Sequence, residues 1–177
     1  EAGKWTFYDV MLASAEGRSI IVLDASGSMW GQIDGRPKLE IAREALADVL
    51  ATVPAGTEWG LMAYGHRTKG DCKDIELLVP PAAGNAAAIS AAAQNLKFLG
   101  KTPLTEAVRQ AAADLKSTEE KATVILITDG IETCNADPCA LGRELEASGV
   151  DFTAHVVGFG LSKEEGQQVA CLAENTG

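Results

Sequence analysis

The 177 residues are enough for one sizeable hydrophobic core and few for two domains. Hydrophobic residues make up 46% of the chain, and 25 acidic against 15 basic side chains leave a formal net charge of −10. A surface this acidic argues against nucleic acid or anionic lipid as a partner, and no apolar run approaches the ~20 residues that a membrane-spanning helix requires.

The beginning of the chain differs from the rest. Ala13-Ser14-Ala15 has the small residues of a cleavage site, but the preceding EAGKWTFYDVML is charged and lacks the basic start and apolar stretch of a signal peptide. We therefore interpret residues 1–17 as an N-terminal arm or an added segment. Residues 18–177, which show no internal repeat or linker, are predicted to form one domain.

Strands and helices alternate along this domain. Arg18 to Leu23, RSIIVL, is a continuous apolar run typical of a strand buried on both faces. Residues 37–53 carry apolar side chains at helical spacing, and Pro37 suits a first helical turn. Residues 57–65 predict a second strand. Residues 74–79 predict a strand antiparallel to it, because only a short loop separates the two.

The second half continues the alternation. Helices are predicted over residues 85–96, 103–115, 137–148 and 163–175. Strands are predicted over residues 122–128, the strongly apolar ATVILIT, and over residues 151–160. Asn85 and Asp137 are placed to cap their helices, and Pro103 and Pro138 suit first helical positions.

This alternation predicts an α/β fold. We expect a doubly wound, mostly parallel central sheet with one antiparallel edge strand and helices on both faces. In such sheets, ligands bind beyond the carboxyl ends of the strands. Asp24 and Asp129 each sit at the carboxyl end of a predicted strand. Both therefore belong at the edge of the sheet where binding sites form.

Three separated segments offer oxygen ligands at that edge: DASGS at 24–28, GKTPLTEA at 100–107 and ITDG at 127–130. They supply two carboxylates and several hydroxyls but no thiolate or imidazole. This set suits a small, hard cation, with Mg²⁺ as the first candidate and Mn²⁺ or Ca²⁺ as alternatives. Ser26 and Ser28 can point to one side if the chain stays extended. The alternative is a strand-to-helix turn without metal.

The pattern resembles the von Willebrand factor A (vWA) domain, whose metal-ion-dependent adhesion site combines Asp-x-Ser-x-Ser with a distant Thr and a distant Asp. The resemblance extends from residue 18 to the end and implies a Rossmann-like fold. It implies that the ligands are Asp24, Ser26, Ser28, Thr102 and Asp129. Thr105 is a weaker candidate than Thr102. In the family a further strand follows the last helix; we expect that the sequence stops before it or that it is supplied elsewhere.

The resemblance also implies a function, which is divalent-cation-dependent protein binding without catalysis. In the family, the open coordination position of the ion accepts an Asp or Glu carboxylate from a partner protein. Trp30, His66 and Arg67 are candidate partner contacts, the last two within a local basic loop. The alternative for Trp30 is that its ring only covers the start of the helix. The alternative for His66 and Arg67 is that they lie in a solvated loop without a partner role.

Two other functions stay open. One is an intracellular assembly module of the metal-chelatase or ATPase type. The other is a hydrolase. Ser26 and Asp129 could be combined with His66 or His155 as a triad, or the two carboxylates beside one metal ion could hold a phosphate ester for metal-dependent hydrolysis. DASGS lacks the Gly-x-Ser-x-Gly elbow, and no separate base is evident. We interpret His155, which falls within a predicted strand, as a core or sheet-face residue.

Four cysteines, Cys72, Cys134, Cys139 and Cys171, bear on the compartment. We predict two disulfides, and therefore a periplasmic or secreted bacterial protein; four reduced thiols would indicate the cytoplasm. The crossover rule places the helices of Cys139 and Cys171 on the same sheet face. This favours Cys72–Cys134 with Cys139–Cys171, while Cys134–Cys139 stays possible.

Overall fold

The computed structural model describes residues 17–51, 56–115, 121–148 and 151–176. The strands are β1 Arg18–Asp24, β2 Gln32–Ile33, β3 Arg36–Pro37, β4 Glu58–Tyr64, β5 Ile75–Ala83, β6 Ala122–Thr128 and β7 Phe152–Gly158. The α-helices are α1 Lys38–Leu50, α2 Ala86–Gln94, α3 Leu104–Asp114, α4 Pro138–Ser148 and α5 Lys163–Glu174, and a 3-10 turn spans Gly27–Trp30. The proposed arm falls almost wholly on residues 1–16, outside the described part of the chain.

Five strands form the central sheet in the order β5-β4-β1-β6-β7. β1 runs parallel to β4 and β6, β6 runs parallel to β7, and β5 is antiparallel to β4 at the edge. The predicted fold class is therefore confirmed. β1 is the central strand, so the residues that follow its carboxyl end lie between neighbours on both sides.

Apolar side chains on both faces of β1 explain why helices cover the sheet on both sides. Ile21 and Leu23 pack in one cluster with residues of α1 and α2. Ile20 and Val22 pack in the other cluster with residues of α3, α4 and α5. These four apolar side chains of β1 are fully buried. The buried strand fixes the position of Asp24 at its end.

One local prediction was wrong, and another was confirmed in position only. Pro37 pairs with Gln32 in the β2–β3 hairpin, and α1 begins one residue later. Asn85 occupies the N-cap position of α2 as predicted, but its side chain makes no capping hydrogen bond; the amide donates instead to the carbonyls of Trp59 and Pro80. The register between β4 and β5 shifts at this point, so Asn85 supplies donors to carbonyls where the ladder is irregular.

The other predicted ends of helices and strands are confirmed or lie a few residues away. Asp137 accepts hydrogen bonds from the backbone N–H groups of Cys139 and Ala140 and so caps α4, as predicted. Pro103 occupies the cap position of α3 rather than its first turn. β5 extends to Ala83, four residues beyond the predicted strand.

All four cysteines are paired, as Cys72–Cys134 and Cys139–Cys171. Their Cα–Cα separations are 5.8 and 5.2 Å. The favoured pairing is confirmed, and the Cys134–Cys139 alternative is wrong. The second bridge joins α4 to α5, which lie on the same face of the sheet as the crossover rule requires. Within the described residues, no helix has the length and apolar character needed to cross a membrane.

Candidate metal centre

Asp24 is the buried starting point of the site. Its side chain is completely inaccessible to solvent. Oδ1 accepts a hydrogen bond of 2.8 Å from the Ser26 backbone N–H, and Oδ2 accepts one of 2.7 Å from the Thr128 hydroxyl. Burial raises the pKa of Asp24, since the desolvation of its carboxylate outweighs these hydrogen bonds. A nearby cation would offset that cost.

The two serines of the first loop face each other. Their Oγ atoms lie 2.9 Å apart, and Ser28 Oγ donates a bond of 2.9 Å to Asp129 Oδ1. Ser26 is extended, but the 3-10 turn begins at the next residue, and Met29 buries its side chain beneath it. The turn, rather than an extended chain, brings the two hydroxyls to one side.

The second loop is docked against the first through glycine backbones. Gly27 N–H donates to the Gly100 carbonyl at 3.1 Å, and Gly100 N–H donates to the Gly65 carbonyl at 2.8 Å. A Cβ on Gly100 would lie 2.8 Å from Gly65 Cα, and Gly65 has a φ of +76°. Side chains at these two positions would separate the loops. This contact places Thr102, two residues further on, beside the serine loop.

The third loop closes on Thr102. The Thr102 N–H donates to Thr133 Oγ1 at 2.8 Å, and the Thr133 N–H donates to the Thr102 carbonyl at 3.1 Å. Thr133 lies four residues beyond Asp129. Thr105, the weaker candidate, lies in the first turn of α3, where its N–H faces Glu132 at 3.4 Å. The three predicted segments therefore meet at one edge of the sheet.

Two residues of this site were not identified from the sequence. Thr128 bonds to Asp24, and Lys38 Nζ donates to Asp129 Oδ2 at 2.9 Å. Strand pairing could have indicated Thr128, since Leu23 lies opposite Ile127 and the following residues must be neighbours. Lys38 had no comparable signal beyond its place at the start of α1.

The donor set decides which ions fit. It consists of hydroxyl and carboxylate oxygens, and the described residues contain no cluster of three or more His, Cys, Asp or Glu side chains suited to a metal. Asp129 also contributes to the raised pKa of Asp24, because the two carboxylates are close and alike in charge. Two buried carboxylates beside the hydroxyls of Ser26 and Ser28, with Thr102 in the adjoining loop, fit a small divalent cation that prefers oxygen, as Mg²⁺ does.

Comparison with known families agrees with this geometry. The family model "von Willebrand factor type A domain" matches residues 19–132. The chain belongs to the von Willebrand factor type A domain family.

Other proteins and solved structures resemble it at low identity. YwmD of Bacillus subtilis (strain 168), an uncharacterized protein, is 28% identical over 162 residues, 85% of this chain and 72% of its own length. A von Willebrand factor type A structure from Catenulispora acidiphila is 25% identical, with a TM-score of 0.68 over 92% of this chain and 37% of that one.

A third protein shares the fold. Proximal thread matrix protein 1 from the mussel byssus, solved with a zinc-occupied MIDAS motif, is 21% identical, with a TM-score of 0.60 over 86% of this chain and 39% of that one. The vWA domain described here therefore spans less than two fifths of either solved chain.

The candidate partner contacts of this vWA domain have different surroundings. Trp30 is 60% exposed, and its indole N–H donates to the Phe98 carbonyl at 2.9 Å. The half-exposed Arg67 guanidinium pairs with Asp74 at 2.7 Å and with Glu76 at 2.8 Å. His66 is buried, with Nε2 3.4 Å from the same glutamate. Trp30 and Arg67 lie at the surface, whereas the His66 ring lies beneath it.

His155, considered above as a triad member, lies in β7 opposite Ile125. Its ring is half-buried, and desolvation lowers its pKa below the usual value of 6.5. The hydroxyl of Ser26, the serine of the proposed triad, lies within hydrogen-bond distance of the Ser28 hydroxyl rather than bonding to a histidine. The placement of His155 agrees with the interpretation of a sheet-face residue.

Proposed function

We propose that this vWA domain binds a protein partner through a divalent cation, with Mg²⁺ as the preferred ion and Mn²⁺ or Ca²⁺ as alternatives. Asp24, Ser26, Ser28, Thr102 and Asp129 hold the ion, and an Asp or Glu carboxylate of the partner completes its coordination. The observation that carries the proposal is the chain of 2.9 Å contacts from Ser26 Oγ through Ser28 Oγ to Asp129 Oδ1. It gathers oxygens from distant segments at the carboxyl edge of the sheet.

The charge of these ligands supports a carboxylate as the partner group. Serine and threonine hydroxyls are neutral, and both oxygens of Asp24 already accept hydrogen bonds. An ion held by such ligands keeps much of its positive charge and attracts an additional anionic oxygen. The same arrangement makes partner binding dependent on the metal.

The surface around the site offers contact area for a protein. Among the described residues, the exposed large hydrophobic side chains are Trp30 and Leu99. The indole of Trp30 bonds to Phe98, the residue before Leu99, so the two side chains belong to one edge of the site. A depression of about 500 Å³ adjoins Leu99, with Arg67, Leu96 and Lys97 among its lining residues. We assign partner contacts to this edge, centred on Trp30.

The disulfides support a location outside the bacterial cytoplasm, periplasmic or secreted. Two disulfides are uncommon in a reducing compartment, and this weighs against an intracellular chelatase-type or ATPase-type assembly module. We propose no catalytic role, because Ser26 bonds to another hydroxyl and His66 Nε2 faces Glu76 rather than a serine.

Calorimetric titration with Mg²⁺, Mn²⁺ and Ca²⁺ tests the metal site. Asp129→Asn and Asp24→Ala should reduce Mg²⁺ affinity at least about a hundredfold, because each removes a buried, charged ligand. Asp151→Asn is the matched control, since it removes an exposed carboxylate just before β7, at the opposite edge of the sheet. Unchanged Mg²⁺ affinity in folded Asp129→Asn protein would refute the proposal.

A further inference from the structure

Lys38 places a fixed positive charge within the metal site. Its Nζ lies 2.9 Å from Asp129 Oδ2, while Oδ1 of the same carboxylate accepts the hydrogen bond from Ser28. The side chain of Lys38 is 16% exposed and that of Asp129 is 0% exposed. A pair so well shielded from water keeps more of its Coulomb interaction than a surface pair does.

The fold makes room for this ammonium group. The Lys38 N–H donates to the Gly31 carbonyl at 2.8 Å, which fixes the start of the helix beside the serine loop. The Lys38 stem then passes between two glycines. A Cβ on Gly160 would lie 2.9 Å from Lys38 Cε, and a Cβ on Gly31 would lie 3.5 Å from it. The lysine therefore occupies a defined channel rather than a variable surface position.

Lys38 changes the charge balance of the site. With both carboxylates ionised, Asp24, Asp129 and Lys38 leave one negative charge in excess, and a divalent ion turns this into one positive charge in excess. Without Lys38, the same two carboxylates and a divalent ion would be neutral as a group. The lysine repels the metal and, once the metal is bound, attracts an anion.

We propose that Lys38 is a permanent second cation of this metal site and sets its ligand selectivity. The inference rests on the proposed function and adds a residue-specific mechanism to it. By sharing Asp129 with the divalent ion, Lys38 lowers the affinity for that ion. In return, it leaves the loaded site with a net positive charge that selects a carboxylate over a neutral oxygen ligand.

Lys38→Met tests both effects because it keeps the length of the stem and removes the charge. The concentration of free Mn²⁺, measured by electron paramagnetic resonance, gives the metal affinity. Acetate then serves as the carboxylate probe, and its displacement of Mn²⁺-bound water is followed by water proton relaxation. We expect Mn²⁺ to bind about tenfold more tightly to Lys38→Met, and acetate to bind the loaded variant at least about threefold more weakly.

Two variants serve as controls. Lys38→Arg keeps the charge, and its acetate affinity should stay close to that of the wild type. Lys121→Met removes an exposed lysine immediately before β6, at the end of that strand opposite Asp129, and should change neither affinity. Circular dichroism establishes that each variant is folded, and Lys38→Gln provides the same test should Lys38→Met not fold.

The outcomes separate this inference from the proposed function. Weaker or unchanged Mn²⁺ binding by Lys38→Met would show that the lysine only positions Asp129, and would overturn the inference while leaving the metal site intact. Unchanged acetate binding would overturn the selectivity role. No Mn²⁺ binding by either the wild type or the variant would refute the metal site itself. Mn²⁺ binding by Lys38→Met alone would support the inference.

Discussion

Thr128 donates a hydrogen bond of 2.7 Å to Asp24 Oδ2, although 104 positions separate the two residues. Thr128 Oγ1 also accepts from the Gly130 N–H at 3.2 Å and from the Tyr64 hydroxyl at 3.4 Å. Asp24, Thr128 and Tyr64 are all fully buried. The network therefore ties the first loop of the site to the third and holds the Asp24 carboxylate in one orientation before any ligand arrives.

Thr128→Val should destabilise the domain and weaken Mg²⁺ binding together. Valine matches the shape of threonine but leaves Asp24 Oδ2 without its buried donor, which costs about 1–3 kcal/mol. Urea unfolding gives the free energy, and calorimetry gives the metal affinity. Thr153→Val on the half-buried β7 strand is the control. Equal, small losses for the two variants would contradict the role assigned to the network.

The fold and the outline of the site could be predicted because both depend on local patterns. An aspartate directly follows the apolar run of β1 and that of β6, and strand order brings those ends together. Ser26 and Ser28 follow the first aspartate directly. The crossover rule places the helices of Cys139 and Cys171 on one face and so favoured their pairing, but it left Cys134–Cys139 open.

The missed features depend on contacts between distant segments. Thr128 lies at the end of an apolar run, and its partner is known only from the register of β1 and β6. Lys38 reaches Asp129 only because Gly160, far along the chain, leaves space for its stem. The β2–β3 hairpin is different, since its turn carries Asp34 and Gly35 at φ +52° and +80°. The Asp-Gly pair was a readable hairpin signal.

Removing each disulfide separately should separate stability from function. The bridges close sequence separations of 62 and 32 residues, so each double Cys→Ser variant should lose about 3–4 kcal/mol. Only loss of Cys72–Cys134 should also weaken Mg²⁺ binding, because Cys134 directly follows Thr133, which bonds to Thr102. Thermal unfolding and calorimetry measure the two effects. Equal effects on metal affinity would contradict this assignment.

Asp74 should give the basic loop a pH-dependent stability. Its carboxylate is buried and accepts bonds of 2.7–2.8 Å from the Arg67 N–H, the Arg67 guanidinium and the Thr68 N–H. Burial alone would raise the pKa of Asp74, but these bonds outweigh it and hold the pKa below its usual value of 3.8. The stabilisation is therefore complete above the pKa of the unfolded chain and is lost as the pH falls through the lower folded value.

Asp74→Asn tests this linkage. At pH 7 the variant should be about 1–3 kcal/mol less stable than the wild type, since the ionised acceptor is lost. The difference should narrow as the pH falls below about 4, because the unfolded wild-type chain then binds a proton that the folded Asp74 carboxylate takes up only at lower pH. Urea unfolding between pH 3 and 7 measures it. Asp71→Asn is the control, since the exposed Asp71 carboxylate accepts a hydrogen bond from the Lys73 N–H in the same loop. A difference that stayed constant with pH would count against the linkage.

Trp30 should report metal binding and contribute strongly to partner binding without contributing much to stability. Trp30 lies two residues after Ser28. Its side chain is 60% exposed, but the 2.9 Å hydrogen bond from its indole N–H to the Phe98 carbonyl holds the ring in place. Addition of Mg²⁺ should shift its indole N–H resonance in a ¹H–¹⁵N spectrum. The resonance of Trp59, buried in β4, should stay in place. A shift confined to Trp59 would contradict the position assigned to the ion.

Substitution of Trp30 separates its ring from its hydrogen bond. Trp30→Ala should change the free energy of unfolding by less than about 1 kcal/mol, because most of the ring is already in water. It should weaken Mg²⁺-dependent partner binding by about 2 kcal/mol or more, as expected for an exposed tryptophan at the centre of an interface. Trp30→Phe keeps an aromatic ring but loses the bond to Phe98, and it should retain part of the affinity. Surface plasmon resonance in Mg²⁺ and in EDTA measures both variants, and full partner affinity in Trp30→Ala would place the contact surface elsewhere.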